Sequence, residues 1–445
     1  IMGNPPFVGG KFQTDDQRAD MEAVFAGVKN YGLLDFVSAW YVKATEYSAA
    51  NPAVRCAFVS TNSITQGEQV GVLWPALLSR GIQIHFAYRT FPWQSEARGK
   101  AHVHVVVIGF GLSSPERKTI FENQDDTAVA MPARNINPYL CDGPNIVLQN
   151  RSKPLCDVPE IAIGNKPIDG GNYLFTDEEK ADFLNLEPAS AEFFRPWIGS
   201  DEFINGWQRW CLWLGDCPPQ KLRQMPEAMK RVQAVRDLRL ASKSPSTQKL
   251  ADRPTRFHVE NMPAGNFLIV PGVSSERRPY IPIGFMTPAT ICSNLVNIVP
   301  DATLYHFGVL TSAMHMAWMR QVAGRLKSDY RYSNKLVYNN FPWPEKITDE
   351  RKAEIERLAQ AVLDERAKHL EKGATLADLY DPVTMPPGLA KAHAALDRAV
   401  DRAYRSAPFE TERARVEHLF GLYQALTTLF LEKPKQKQRK KTAPA

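Results

Sequence analysis

An α/β domain, then an α+β module, then a helical bundle are what the sequence predicts, and three changes of texture along the chain predict them. Residues 1 to about 112 alternate strand-sized apolar runs with helical stretches, as an α/β domain does. From about 113 to 345, Pro and Gly break the chain into short strands, the texture of a module that presents loops. From 346 to 432 apolar residues recur at helical spacing, and the remaining 433–445 form a basic tail predicted to be disordered.

In the first part, Cys56–Ser60 and the run from His102 to Phe110 read as buried strands. Tyr31–Tyr47 reads as a helix, with Leu34, Val37, Trp40, Tyr41 and Ala44 on one stripe, and Val70–Ser79 as a second. In the second part, Thr176-Asp-Glu-Glu179 is a capping box that predicts a helix start, and Met225–Ser242 reads as a Lys/Arg-rich helix. In the third, Ile355, Leu358, Val362 and Leu363 mark one helix, Leu389–Tyr404 another, and Val416, Leu419, Tyr423, Leu426 and Phe430 a third. Together they predict a small antiparallel bundle.

The composition is that of a globular chain: 44% hydrophobic and 23% charged over 445 residues. No apolar run approaches the roughly 18 residues that cross a bilayer, and no export signal opens the chain, so a cytoplasmic protein is expected. Six cysteines without CxxC spacing point to reduced thiols and to no structural zinc. The N-terminus, Ile-Met-Gly-Asn, runs from an apolar start straight into a functional-looking loop, as a fragment of a longer polypeptide would. Net charge is +6, and Lys433, Lys435, Lys437, Arg439, Lys440 and Lys441 of the tail account for all of it. Any face that binds a polyanion such as DNA would therefore be a local patch, best supplied by Lys221–Arg256.

The segment that carries chemistry is Asn4-Pro5-Pro6-Phe7. An exocyclic adenine amine delocalises its lone pair into the ring and attacks poorly until two acceptors draw its hydrogens toward tetrahedral geometry. The Asn4 side-chain carbonyl and the Pro5 backbone carbonyl can be those acceptors, on a loop stiffened by proline. Phe7 offers a flat face to an extruded base, and such stacking is worth about 1–3 kcal/mol. Two prolines after Asn also make a serviceable turn, so the four residues alone leave both readings open.

The loop resembles the N-P-P-[FY] motif of adenine-N6 amino methyltransferases, and the likeness extends downstream. Gly32–Val37, Phe58–Gln69 and Phe91–His104 are similar to the motifs that follow in that class. They most resemble the MmeI-like group of restriction-modification enzymes, in which one polypeptide carries nuclease, methyltransferase and target-recognition parts. Ser274–Arg278 and Tyr338–Pro344 resemble that group's recognition region. The resemblance implies that residues 1–112 are the C-terminal half of a Rossmann-like class I methyltransferase domain. It implies further that 113–345 is a target recognition domain, and that double-stranded DNA is the partner and S-adenosylmethionine the methyl donor. It places Phe91 against a flipped base, for which core burial is the even-handed alternative. The Gly-rich turn and acidic residue that hold the donor in the family do not precede Asn4, and Gly109-Phe110-Gly111 is a poor imitation of them. The chain by itself is therefore expected to bind the cofactor poorly, with the cofactor half and any nuclease upstream in the parent polypeptide.

Two decoys are set aside. His102-Val103-His104 lacks a third metal ligand, and Asp177-Glu178-Glu179-Lys180 reads as a helix start rather than a nuclease site. Base reading calls for Arg, Asn, Gln, Asp or Ser side chains at base edges. Candidates are Ser275, Glu276, Arg277, Asn297, Arg325, Lys327, Asp329, Arg331 and Ser333, with the segment Lys327–Ser333 favoured because Asp329 and Arg331, alternating on a strand, share a face. A surface salt bridge is the plainer reading of that pair. Lys230, Arg231, Arg236 and Arg239 are assigned to phosphates. Two rival functions stay open: a specificity module serving a separate cofactor-binding subunit, and a methyltransferase acting on RNA or protein.

Overall fold

The computed structural model describes residues 1–93, 103–124 and 127–431. His102, most of the Phe91–His104 motif beyond Trp93, and the lysine-rich tail lie outside the described residues. Internal contacts divide the chain into two compact units. One joins Ile1–Arg151, Asn340–Trp343 and the chain from Glu410 onward, and the other joins Ser152–Asn339 and Pro344–Phe409.

The first unit is built on a six-stranded sheet. Its strands are β1 (Met2–Gly3), β2 (Arg55–Thr61), β3 (Gln83–Trp93), β4 (Val103–Gly111), β5 (Lys118–Gln124) and β6 (Thr127–Ala133). They lie in the order β1-β2-β4-β3-β5-β6. β1 runs parallel to β2 and β3 parallel to β5, while β4 is antiparallel to both its neighbours. The predicted strands at Cys56–Ser60 and up to Phe110 are thus observed. The sheet also continues past residue 112, because β5 pairs with β3 through Phe86↔Thr119 to Tyr88↔Phe121. The compact unit accordingly reaches Arg151.

Three helices accompany the sheet: α1 (Asp15–Val24), α2 (Ser38–Ala49) and α3 (Glu68–Leu78). α1 starts in a capping box, with the Gln17 N–H donating to Thr14 Oγ1 at 3.3 Å and the Thr14 N–H donating to Gln17 Oε1 at 3.0 Å. α2 begins seven residues later than periodicity predicts, at Ser38 rather than Tyr31. Its buried Tyr41 stacks on Phe110 with ring centroids 5.0 Å apart and meets Phe58 edge-on at 5.3 Å. The Tyr41 hydroxyl lies 2.8 Å from Ser60 Oγ, so the one polar atom of this buried ring is paired. Gly109 is required by close approach, since a Cβ there would sit 2.1 Å from the Phe86 ring.

The second unit carries two four-stranded sheets and one three-stranded sheet. Thr176 caps the helix Asp177–Leu186 in the predicted box. The helix Pro226–Leu240 also forms where it is predicted. It buries Ala228, Val232 and Val235 in an aromatic core with Tyr173, Phe175, Phe194, Trp197 and Trp213.

The C-terminal region is helical as expected, and its helices are divided between the two units. Asp349–Leu370 and Pro387–Tyr404 pack on each other in the second unit. Glu412–Leu431 belongs to the first, where Phe420 lies 5.2 Å from Tyr139 and the Tyr423 hydroxyl donates to Asn340 Oδ1 at 3.3 Å. Periodicity shows that a helix has an apolar face; it does not say which surface covers that face.

Candidate active site and nucleic-acid interface

Asn4 follows β1 directly, at the end where parallel strands deliver their C-terminal residues. Register fixes what lies level with it. Gly3 pairs with Phe58 on β2, and Thr61 and Phe91 both pair with Val105, one from each side of β4. The ends of β1, β2 and β3 therefore meet at one sheet edge, where open α/β sheets hold their ligands. Asn4 and Pro6 are exposed, Phe7 is half-buried and Pro5 is buried, so the loop is anchored by one proline and presents the asparagine outward. Phe91 is half-buried and meets Tyr88 edge-on at 4.9 Å, next to a register irregularity between Tyr88 and Phe91.

The segment beyond Phe7 is tied to Gly32–Phe36. The Phe36 N–H donates to the Val8 carbonyl at 2.8 Å, and Gln13 Nε2 donates to the Leu34 carbonyl at 3.0 Å. Gly10 lies so close that a Cβ would meet the Gly32 carbonyl at 2.5 Å. The centre of the clamp is Asp35, which is buried to 7% exposure. Its carboxylate accepts from Thr61 Oγ1 at 2.6 Å and from Gln69 Nε2 at 3.0 Å, and its own N–H donates to Gln69 Oε1 at 3.1 Å. One carboxylate thus joins the loop support to the end of β2 and the start of α3. Asp35, Thr61 and Gln69 all lie within the motif-like segments Gly32–Val37 and Phe58–Gln69, and the sequence alone assigns none of them a role. The available signal was an acidic residue inside the apolar run Leu33-Leu34-Asp35-Phe36-Val37.

Nothing in the described residues assembles a glycine-rich nucleotide loop at this edge. Gly109 and Gly111 lie inside β4, covered by Phe86 and by His85, which removes them as a candidate. A cavity of about 480 Å³ in this unit opens near the starts of β2, β3 and β5, among Arg55, His85, Phe86 and Arg117, away from Asn4.

In the second unit a three-stranded sheet gathers many of the predicted reading residues. Val273–Ser274 pairs with Asp329–Arg331, which pairs with Gly324–Leu326. Ser275, Glu276 and Arg277 therefore follow the strand beside Asp329 and Arg331. Buried Tyr330 separates those two residues, which share the opposite face. Lys327 stands exposed at the turn with φ of 57°, and Arg331 and Arg277 are exposed as well. Arg277 approaches the Asp381 carboxylate at 3.5 Å. Arg325 is a brace: its guanidinium lies 3.9 Å from the Tyr330 ring centre, donates to the Ser328 carbonyl at 2.8 Å and reaches Glu276 at 3.3 Å. Ser333 accepts from the Leu336 N–H at 3.2 Å and caps a single helical turn.

Two predicted contacts are corrected. Asn297 is 4% exposed inside the strand Val296–Pro300, paired on one side with Val270 and on the other with Ile163, so it reaches no ligand outside the sheet. Arg239 is fully buried and donates to the carbonyls of Pro167, Ile168, Leu250, Arg253 and Arg256 at 2.8–3.0 Å. All five guanidinium donors are used, so this cation ties loops together and is closed to phosphate. Arg231 is partly engaged, lying over Phe175 at 4.7 Å, whereas Lys230 and Arg236 stay exposed. The decoy at Asp177–Lys180 is a helix start: Asp177 accepts from Trp210 Nε1 at 2.7 Å, and Glu179 closes the capping box.

Three family models match the chain in the order of its parts: the MmeI DNA-methyltransferase domain over residues 1–122, the MmeI target recognition domain over 142–345, and the MmeI C-terminal domain over 347–431. The chain belongs to the MmeI family. Among curated proteins it is similar to DNA methyltransferase A of Bacillus subtilis (strain 168), with 45% identity over 96% of this chain and 48% of that protein. Among solved structures it is similar to the type IIL restriction-modification enzyme MmeI in complex with DNA. That match has 48% identity and a TM-score of 0.88, and covers 96% of this chain and 57% of that one. The chain thus spans about half the length of the relatives it matches. Asn340–Trp343, which resembles part of the family's recognition region, packs in the unit that holds Asn4.

Proposed function

We propose that this chain carries the methyl-accepting side of an S-adenosylmethionine-dependent adenine-N6 DNA methyltransferase of restriction-modification type, acting on an everted base in a specific duplex sequence. The observation that carries the reading is the exposed Asn4 loop at the shared end of β1, β2 and β3, held from behind by the Asp35 clamp. The similarity to two DNA-acting relatives supports the class of substrate.

The residues divide the work as follows. The Asn4 side-chain carbonyl and the Pro5 carbonyl accept the two hydrogens of the adenine amine, bend it toward tetrahedral geometry and free its lone pair for attack. Phe7 and Phe91 flank the base with apolar faces and keep water from the nitrogen. S-adenosylmethionine supplies the electrophilic methyl when bound. The described residues do not themselves assemble its adenosine-holding side. In the second unit Ser275, Glu276, Arg277, Lys327, Asp329 and Arg331 read base edges, with Arg325 holding Glu276 and Ser333 fixing the turn that follows. Lys230, Arg236 and the free edge of Arg231 meet phosphates. Functionally the chain divides into catalytic half, recognition domain and C-terminal domain, working on DNA in the cytoplasm with the remainder of its parent polypeptide.

The test is modification-sensitive sequencing of DNA from cells expressing the full-length protein or its Asn4→Ala variant. Methyl-adenine confined to one sequence, and reduced by about 10²–10³-fold in the variant, is expected. Methylation of cytosine, or adenine methylation that survives the substitution, refutes the reading. A second reading is a specificity module serving a separate cofactor-binding subunit, since among the described residues Gly109 and Gly111 lie in β4 under Phe86 and His85 and form no nucleotide loop beside Asn4. Calorimetric titration of the chain with S-adenosylmethionine bears on it, since micromolar binding would eliminate it.

A further inference from the structure

We propose that Phe12 is a wedge that enters the duplex in the space vacated by the everted adenine. The proposal rests on the reading above that the target base leaves the stack. Phe12 is 84% exposed, an unusual state for a phenylalanine in a chain that buries most of its aromatic rings.

The mount under this ring is rigid. The Phe12 N–H donates to the Gly9 carbonyl at 2.8 Å, closing a tight turn over Gly10–Phe12. On one side, Gly10 is pressed against the Gly32 carbonyl, where no side chain would fit. On the other, Gln13 is 5% exposed and anchored to the Leu34 carbonyl at 3.0 Å. Gly10, two residues before the exposed ring, and Gln13, directly after it, are thus fixed to the support that Asp35 clamps. The ring also lies five residues beyond Phe7, in the loop that carries Asn4, at the edge where the target base is received.

Everting a base leaves a slot bounded by two apolar base faces, and closing or filling it decides how long the base stays out. Apolar side chains inserted between base steps fill such slots in other DNA-bending proteins, and an aromatic ring stacks on any base. A flat ring displayed on a stiff turn beside the acceptor loop has the shape, polarity and position for that task. Lys11, exposed next to it, places a cation where the flanking phosphate would run.

The experiment uses the full-length protein and a duplex of the methylated sequence, with 2-aminopurine in place of the target adenine, and compares wild type with Phe12→Ala and Phe12→Trp. Wild type is expected to raise the fluorescence as the base leaves the stack. Phe12→Ala is expected to lower both that rise and the methylation rate by about tenfold, and Phe12→Trp to retain them. A pyrene nucleotide opposite the target fills the slot from the other strand. With it, Phe12→Ala is expected to recover to within about threefold of wild type, which a folding defect would not do. If fluorescence rises equally with wild type and Phe12→Ala, or if pyrene gives no recovery, the wedge is refuted while eversion stands. If wild type itself gives no rise, eversion falls and the wedge with it.

Discussion

Removing the carboxylate of Asp35 tests whether the catalytic loop is held from behind. In Asp35→Ala two hydrogen bonds to a buried charge disappear, from Thr61 Oγ1 at 2.6 Å and Gln69 Nε2 at 3.0 Å. Bonds to charged groups contribute about 1.5–3 kcal/mol each, and water relieves part of the loss because Thr61 and Gln69 are half-buried. The expected cost is about 2–4 kcal/mol, which for a unit of this size lowers Tm by roughly 5–15 °C. Asp35→Asn is milder, about 1 kcal/mol: its oxygen still meets Gln69, and the Thr61 hydroxyl can rotate to accept from the new amide. Thr61→Val, which deletes one donor, costs about 1–2 kcal/mol, and with Asp35→Ala it is expected to cost less than the sum. Because a displacement of about 1 Å in a reacting group costs on the order of 10²-fold, kcat in Asp35→Ala should fall by that factor while DNA affinity changes less than about threefold. Melting by calorimetry and single-turnover methylation read both quantities. An Asp35→Ala protein that melts within about 1 °C of wild type and methylates normally would show that the loop holds its shape without the clamp.

Further predictions concern the second unit. Exchanging the residues at 329 and 331 in the full-length protein should change the methylated sequence, read by sequencing; an unchanged site removes both from base reading. Lys230→Ala and Arg236→Ala should each flatten the dependence of log Kd on log salt by about 0.9, whereas Arg239→Met should leave the slope of the folded protein intact and lower its stability by about 3 kcal/mol or more, since five carbonyls lose their donor. Burial pushes His315 down to about 3 and holds His393 well below its usual range, so both stay neutral when folded and take up a proton on unfolding. Their contribution is complete above the unfolded pKa of about 6.5 and declines as pH falls below it. At pH 5 His315 costs about 2 kcal/mol relative to pH 7.5 and His393 adds to the loss in the same direction, which urea titration should find and His393→Gln should reduce.

The elements of the first unit were legible because strands buried on both faces read as unbroken apolar runs, and Val103–Gly111 is such a run. The start of α2 was not. Leu34 and Val37 keep helical spacing with Trp40 and Tyr41, yet Asp35 faces Thr61 and Gln69 across the fold and holds the backbone extended there. A local pattern cannot register a bond to residues some thirty positions away. The Asn4–Phe7 loop stands out in the sequence because the chemistry proposed for it needs neighbouring residues only: an amide carbonyl, a backbone carbonyl and prolines. Its support was not, because it joins three separate segments.

The same distinction explains the basic residues. Arg239 and Arg236 sit three positions apart on one helix and look alike in sequence, but Arg239 continues the buried row of Ala228, Val232 and Val235, whereas Arg236 lies at its exposed border. Where the segments at 167–168 and 250–256 converge on that core, their carbonyls need donors, and a guanidinium with five is the side chain that can satisfy several at once. A count of Lys and Arg over Lys221–Arg256 therefore overstates the phosphate-binding charge by those cations that fold the module. Among the described residues, Lys327 and Arg331 on the small sheet and Arg236 on the helix are exposed cations, and under the proposed function such exposed cations are a better guide to the interface than net charge.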